Sequence, residues 1–156
     1  MSEIPDEMGF ISLLVERHPR LFHGKHPRVM SDCPPGWQSL VDRFFADVDV
    51  MLDDEQARSF RVEQIKEKFA GLRIYWKLGK QKTTAVDVFA NDGIIRLQTQ
   101  PNQPTELFDQ IAARVTLAEE EAAQTCQKCG SLGAERRSRG WLITLCAACA
   151  APRPQD

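Results

Sequence analysis

The sequence predicts an α+β domain, with helices packed on a small antiparallel sheet, followed by a small cysteine-rich module. In three segments before residue 124, apolar residues recur at helical spacing. Between residues 72 and 97 they instead alternate with polar residues, as in strands with one buried face. Four of the five cysteines then form two Cys-x2-Cys pairs. We therefore divide the chain into an α+β domain at 1–124, a metal-binding module at 125–151 and a loose tail at 152–156.

The composition is that of a soluble globular protein. Of the 156 residues, 42% are hydrophobic and 27% are charged, so the chain can bury a core without help from disulfides. The acidic residues Glu3, Asp6 and Glu7 stand where a secretory signal would need basic ones, and no apolar run reaches the ~20 residues that span a bilayer. We therefore expect a cytoplasmic protein with no membrane partner.

Charge is balanced over the whole chain but uneven along it. The 20 basic and 22 acidic residues give a net charge of −2, so the chain has no general electrostatic attraction to nucleic acid or anionic membranes. Residues 40–59 carry six acidic and two basic side chains, whereas residues 60–82 carry seven basic and two acidic ones. A polyanion would therefore meet segment 60–82 first.

The first helix is short and is followed by a long connection. Pro5 is suited to the first turn of this helix, and Pro19 ends it at about Arg17 or His18. Segment 18–36 holds four prolines and, at its end, Gly36, so we expect an irregular surface connection there.

Two longer helices are amphipathic. The second helix begins at Trp37 and is the main core element, and the third begins near Pro104 or Thr105 and leads to Cys126. In the third helix we expect residues 119–121, all glutamates, to face outward. The predicted core positions of the two helices are Trp37, Leu40, Val41, Phe44, Phe45, Val48, Met51 and Leu52, then Leu107, Ile111, Val115, Ala118 and Ala122.

The residues between these helices favour strands. Segment 72–78 alternates apolar and polar residues, and segment 86–97 is typical of a hairpin with a tight turn at Asp92-Gly93. Segment 62–69 fits both a helix and a strand; we interpret it as the entry to the sheet, with Gly71 at the turn.

The two cysteine pairs have the spacing of a zinc ribbon. In each Cys-x2-Cys pair, one tight turn can direct both thiolates at a single ion, and a gap of 16 residues between the pairs suits a connecting hairpin. We therefore expect Cys126, Cys129, Cys146 and Cys149 to hold one structural Zn²⁺ ion. Iron in place of zinc, a dithiol redox centre, two disulfides and four buried thiols are the alternatives. Four sulfur ligands leave no open position for catalysis.

A second set of ligand-type side chains lies in the proline-rich segment. His18, His23, His26 and Cys33 could form another metal site or supply a thiol and its base. Their spacing matches no established ligand pattern, so the interpretation that we favour is loop histidines and a half-buried cysteine. The sequence also lacks a nucleophile elbow, a P-loop, a dinucleotide-binding glycine motif and the His-x-Glu of zinc deaminases. It therefore supports no catalytic assignment.

Two basic surfaces are candidates for partner binding. Arg73, Tyr75 and Lys77 share the face of a strand opposite the core, where they could meet an acidic protein or single-stranded nucleic acid. Arg136, Arg137 and Arg139 precede Trp141 in the cysteine module, where they could contact phosphates beside a stacking ring, or simply form a solvated turn.

Four blocks of sequence resemble a family of small bacterial and phage proteins. They are CPPGW at 33–37, IKEKFAGLRIY at 65–75, CxxCG at 126–130 and WLITLCxxC at 141–149. The chain departs from the family pattern at Ala70, where glycine is expected. The family is recognised by its pattern and not by an activity, so the resemblance implies no catalytic residue. It implies a bacterial or phage origin, and small cytosolic proteins of that kind often bind a toxin or a host factor.

We therefore expect a macromolecule-binding protein, most simply a cytosolic protein of the immunity or inhibitor kind. The alternative is a nucleic-acid-associated zinc ribbon, and a third hypothesis is an enzyme that uses the loop histidines and Cys33.

Overall fold

Over the residues that the structure describes, the chain forms an α+β fold with six helices and three small antiparallel sheets, as the sequence predicts. This computed structural model describes residues 7–25, 33–90 and 93–152. Pro5, His26, Asp92 and the tail residues 153–156 lie outside the described ranges. The helices are α1 Glu7–Arg17, α2 Pro19–Phe22, α3 Gln38–Met51, α4 Asp54–Ser59, α5 Glu106–Ala122 and α6 Ala147–Ala150; the strands are β1 Phe60–Lys68, β2 Gly71–Leu78, β3 Gln81–Lys82, β4 Thr84–Ala90, β5 Gly93–Thr99, β6 Glu135–Ser138 and β7 Leu142–Leu145.

The N-terminal helices differ in part from the prediction. Helix α1 ends at Arg17, as Pro19 requires. The expectation of a wholly irregular connection after it is wrong, because Pro19 opens the one-turn helix α2. Proline is tolerated in the first turn of a helix, and α2 buries Leu21 and Phe22. The ring of Phe22 packs edge-on against Phe45 at 5.0 Å between centroids.

The two long helices supply much of the core. Trp37 lies in a short 3-10 turn that leads directly into α3, and its side chain is 0% exposed. Thr105 caps α5 by accepting a hydrogen bond from the amide of Phe108. The short helix α4 was not predicted; its signal is the capping box formed by Asp53 and Gln56. None of the described helices is both long enough and apolar enough to cross a membrane.

The apolar face of β2 lies against these helices. Leu72, Ile74, Trp76 and Leu78 are buried, and the Trp76 ring stacks on Phe108 of α5 at 4.7 Å. Strand β1 pairs with β2 along its length, which confirms the strand interpretation of segment 62–69.

The turn between β1 and β2 lies earlier than predicted. Gly71 already belongs to β2, and the turn residues are Phe69 and Ala70, with φ of 52° and 66°. Consecutive positive φ angles give a hairpin turn whose twist suits the flanking strands. Because this chain has alanine where the family pattern has glycine, Ala70 must adopt a left-handed conformation that glycine adopts more easily.

Strands β4 and β5 form the predicted hairpin, but as a separate two-stranded sheet. The pairing runs from Thr84↔Thr99 to Ala90↔Gly93. The hairpin lies near α5 and covers Glu119, whose side chain is only 14% exposed. The expectation that all three glutamates at 119–121 face outward is therefore wrong for Glu119, because its carboxylate pairs with Arg96 of β5.

Candidate metal centre

The four predicted cysteine ligands converge. The Sγ atoms of Cys126, Cys129, Cys146 and Cys149 all lie within 4.8 Å of one another, so this cluster can hold a metal ion. No other group of three or more metal-ligating side chains occurs among the residues that the structure describes.

Each cysteine pair is held by a short local structure. After α5, a tight turn brings the amide of Gly130 to 2.9 Å from the carbonyl oxygen of Cys126, and Gly130 adopts the positive φ of 79°. Cys146 caps helix α6, and its Sγ accepts a hydrogen bond from the amide of Cys149. The hairpin β6–β7 joins the two pairs, as the gap of 16 residues predicts.

The first cysteine turn and β7 are hydrogen bonded to each other. The amide of Gln127 donates to the carbonyl of Thr144 at 2.9 Å, and the amide of Thr144 donates to the side-chain oxygen of Gln127 at 2.6 Å. Both residues are buried. These reciprocal bonds fix the distance between the two cysteine pairs.

The thiols strongly influence one another's ionisation. Burial acts to raise the pKa of Cys126, but hydrogen bonds from the backbone amides of Cys146, Cys129 and Lys128 outweigh it and lower that pKa to about 6. The neighbouring sulfurs of Cys146, Cys129 and Cys126 raise the pKa of Cys149 to about 12. The lowered pKa values of Cys126 and Cys129 favour thiolates at these two positions, whereas four adjacent thiolates require a cation between them.

The module is attached to the α+β domain through two of the sequence blocks that carry the resemblance. In the CPPGW block, the amide of Gly36 donates to the carbonyl of Gln127 at 2.8 Å, and Trp37 Nε1 donates to the carbonyl of Thr125 at 2.9 Å. A Cβ on Gly36 would lie 1.9 Å from the carbonyl oxygen of Cys126. This position therefore needs glycine for close packing.

The second attachment point is the turn between β1 and β2. The hydroxyl of Thr144 donates to the carbonyl of Ala70 at 2.9 Å, and Thr144 is 1% exposed. Sequence reasoning missed these docking roles, because nothing in the spacing of Gly36 or Ala70 tells which surface lies opposite.

The predicted basic face on β2 is turned toward the β4–β5 hairpin. The Arg73 side chain is 13% exposed and its Nη2 lies 3.8 Å from Oδ1 of Asp87. The Tyr75 ring lies near two cations, Lys66 and Arg96, at 5.3 and 5.9 Å. Lys77, like Tyr75, is half-buried. Arg73 and Tyr75 thus already have partners within the chain.

The tip of the β6–β7 hairpin is open to solvent. Arg136 and Arg139 are exposed, and the Trp141 side chain is 68% exposed. Arg137 differs from its neighbours, because its Nε donates to the carbonyl of Leu145 at 3.2 Å and its guanidinium lies 3.7 Å from Glu135.

The described members of the second candidate set do not meet at one point. His18 is buried with its Nε2 at 2.9 Å from Asp42, and His23 Nε2 lies 2.9 Å from the carbonyl of Phe60. Burial raises the pKa of the Cys33 thiol to about 12, which disfavours the nucleophilic thiolate. His26 is outside the described residues.

Comparison with known proteins finds no family model that matches the chain, and no curated protein or solved structure that is detectably similar to it. A function for this chain must therefore be inferred from the geometry of its own residues.

Proposed function

We propose that the four cysteines bind one Zn²⁺ ion and that this ion has a structural role. Four converging thiols match the ligand set of closed tetrahedral zinc sites. Iron is the second candidate, since thiolates also bind it. The ion would fix the small buried cluster formed by Cys126, Ala134, Leu145 and Ala150, which alone is too small to be stable.

Elemental analysis tests this proposal directly. Protein purified without added metal should contain about one zinc per chain. Replacing Cys146 by serine should abolish stoichiometric zinc, whereas replacing Cys33 should leave it unchanged. Four thiols that are alkylated at the rate of free cysteine in the purified protein would contradict metal binding.

We further propose that the protein is a cytoplasmic, macromolecule-binding protein of the immunity or inhibitor kind, and that the tip of the metal module contacts its protein partner. The exposed Trp141 carries this proposal, because an indole that is 68% exposed offers a partner a large apolar surface together with a hydrogen-bond donor. Tryptophan and arginine are enriched among residues that dominate protein interfaces, and Arg136 and Arg139 are exposed on the same hairpin.

The rigid base under this tip supports a binding role. Strands β6 and β7 are paired from Glu135↔Leu145 to Ser138↔Leu142, and the metal cluster lies at the other end of the hairpin. A preorganised hairpin loses little conformational entropy when a partner docks. The partner that fits the resemblance is a toxin or a host factor.

A nucleic acid is the second candidate for the same tip. Residues 126–151 carry Lys128 and three arginines against Glu135, and an exposed indole can stack on a base. Four thiolates and a divalent ion would contribute −2, which leaves this module at about +1 by simple counting. So small an excess of positive charge favours a protein partner.

One set of variants distinguishes these proposals. The tagged wild type and two tip variants, Trp141→Ala and Arg136→Glu/Arg139→Glu, should each be purified separately from the protein's own host. The control is the variant Arg58→Glu/Lys80→Glu, which reverses two exposed cations elsewhere on the surface. We expect the wild type and the control variant each to co-purify with the same partner protein, in an amount close to one partner per chain. Both tip variants should lose this partner, although their own zinc content stays unchanged.

Recovery of RNA or DNA in place of that protein, with an affinity that falls steeply with salt, would support the second candidate. Retention of the partner by both tip variants would reject the tip as the contact surface. The double variant Arg73→Glu/Lys77→Glu then tests the face of β2.

A further inference from the structure

The hairpin β4–β5 has its polarity inverted relative to an ordinary surface hairpin. Its outward face carries two apolar cross-strand pairs, Val86↔Leu97 and Val88↔Ile95. These side chains are 58%, 57%, 40% and 52% exposed, in that order. We call these four residues the apolar ladder. The cross-strand pair Thr84↔Thr99 continues the same face, so none of these outward side chains is charged.

The inward face of the hairpin carries the charges. Asp87 and Arg96 are cross-strand neighbours whose side chains pair with Lys68 of β1 and Glu119 of α5. Asp87 is 6% exposed and its Oδ2 lies 2.9 Å from Lys68 Nζ, while Arg96 Nη1 lies 2.6 Å from Glu119 Oε2. The ion pairs hold the hairpin in place, and its apolar ladder consequently faces away from the domain.

Burying the charges and exposing the apolar residues is unfavourable in an isolated chain. Desolvation of ions is costly even when they are paired, and each exposed aliphatic side chain forgoes the free energy of burial. A single exposed valine needs no explanation, but a contiguous ladder of four indicates a surface that another molecule covers.

We propose that the apolar ladder is covered by the same ladder of a second copy of this chain, so that two hairpins pack face to face about a two-fold axis. The face is uncharged, so two copies meet without like-charge repulsion, whereas a charged partner would find no group to pair with.

The sizes of the side chains are also self-complementary. A two-fold axis parallel to the strands places β4 of one copy over β5 of the other. Each cross-strand pair then lies at the same height along the strands as the same pair of the second copy. Val86 then opposes Leu97 of the second copy, and Val88 opposes Ile95. A smaller side chain thus meets a larger one at every contact. This alternation of sizes lets the side chains fill the space between two sheets that lie about 10 Å apart.

The area sets the expected strength of this dimer. The ladder forms an apolar patch of roughly 300 to 400 Å², about half of the ~800 Å² that each partner contributes to a stable standard interface. We therefore expect a reversible dimer with a dissociation constant between about 1 and 100 μM.

Sedimentation velocity of the whole chain, purified with its metal retained, tests the proposal over a range of about 1 to 200 μM. We expect a monomer that converts to a dimer as the concentration rises, and no larger species, because an isologous face closes on itself. The variant Val86→Lys/Leu97→Lys should remain monomeric throughout the range.

Matched controls separate the ladder from general surface hydrophobicity. Val50→Lys and Leu117→Lys change exposed aliphatic residues on α3 and α5, which are 85% and 54% exposed. Both should dimerise like the wild type, and all variants should retain zinc and their circular dichroism spectrum. The exchange Val86→Leu/Leu97→Val preserves the size match and should also dimerise.

Three outcomes would overturn the proposal. A wild type that stays monomeric at 200 μM would mean that a different molecule covers the ladder. An unaffected dimer in Val86→Lys/Leu97→Lys would place the interface elsewhere. Association into larger species would show a heterologous contact in place of the two-fold one. None of these outcomes bears on the Trp141 tip, which is a separate surface.

Discussion

Two hairpins of this protein share an antiparallel backbone and an alternating sequence, yet they bury opposite faces. In β1–β2, Leu72, Ile74 and Trp76 face the helices and are at most 6% exposed. In β4–β5, the four side chains of the apolar ladder are 40% to 58% exposed, while Asp87 and Arg96 face β1 and α5. Alternation therefore defines two faces of a strand, and the neighbouring surface decides which of them is buried.

The surface opposite each hairpin explains the difference. The apolar face of β2 meets the ring of Phe108, which is apolar. The β4–β5 hairpin meets the outer face of β1 and β2, which carries Lys68 and Arg73, and the side of α5 that carries Glu119. A charged surface selects the charged face of the hairpin that covers it.

The largest expected effect is at Trp76. Its ring stacks on Phe108 at 4.7 Å and on Phe60 at 6.0 Å, so truncation leaves a cavity that the surrounding side chains cannot fill. We expect Trp76→Ala to lower the free energy of unfolding by about 3 to 5 kcal/mol in urea titrations. A loss below about 1 kcal/mol would show that β2 does not carry the core.

An intermediate effect is expected at Asp87. Asp87→Asn keeps the shape of the side chain but leaves Lys68 and Arg73 without a counter-ion, so it should cost about 1 to 3 kcal/mol at pH 7. The control is Asp47→Asn, because Asp47 and its ion-pair partner Arg114 are exposed, at 42% and 44% respectively. An equal loss of stability in this control would mean that burial does not strengthen the ion pairs of Asp87.

The pH dependence gives this prediction a sign. Burial acts to raise the pKa of Asp87, but Lys68 and Arg73 outweigh burial and hold that pKa below its ordinary value. The ionised form thus stabilises the fold above about pH 4, and this contribution is lost as the pH falls through the lowered pKa. The stability difference between wild type and Asp87→Asn should therefore be largest near neutral pH and shrink below pH 4. A difference that grows with acid would contradict the ion-pair account.

The sequence predicts the long elements well because local rules govern them. The stripe from Trp37 to Val48, the start of α5 near Thr105 and the alternation in β2 each depend on residues near in sequence. The convergence of the four cysteines is also predictable, since the spacing of the two pairs is typical of residues that share one ion.

The remaining features depend on contacts distant in sequence. The ion pair between Arg96 and Glu119 joins residues from β5 and α5, and no spacing rule connects them. The polar strand face predicts a partner-binding role for Arg73, but the hairpin that comes next in the chain covers it. Leu21 and Phe22 contribute to the core from a segment whose prolines indicate a loop.

A small effect is expected at the turn of β1–β2. Ala70 has a φ of 66°, a conformation that is less favourable for alanine than for glycine. Burial of its methyl group offsets part of this unfavourable free energy. Ala70→Gly should thus raise the free energy of unfolding by at most about 1 kcal/mol. The control Ala85→Gly, in a strand, should lower it by a similar amount. A destabilisation by more than about 1 kcal/mol at Ala70 would show that its methyl group matters more than its φ.

The most direct measurement of the contrast between the two hairpins is a matched pair of isoleucine truncations. Ile74 is 3% exposed on β2 and Ile95 is 52% exposed on β5. Equilibrium unfolding at about 0.1 μM, well below the range expected for dimer dissociation, isolates the stability of the single chain. We predict that Ile74→Ala loses about 2 to 5 kcal/mol and Ile95→Ala less than about 1 kcal/mol. Equal losses, or a larger loss at Ile95, would contradict an inverted hairpin.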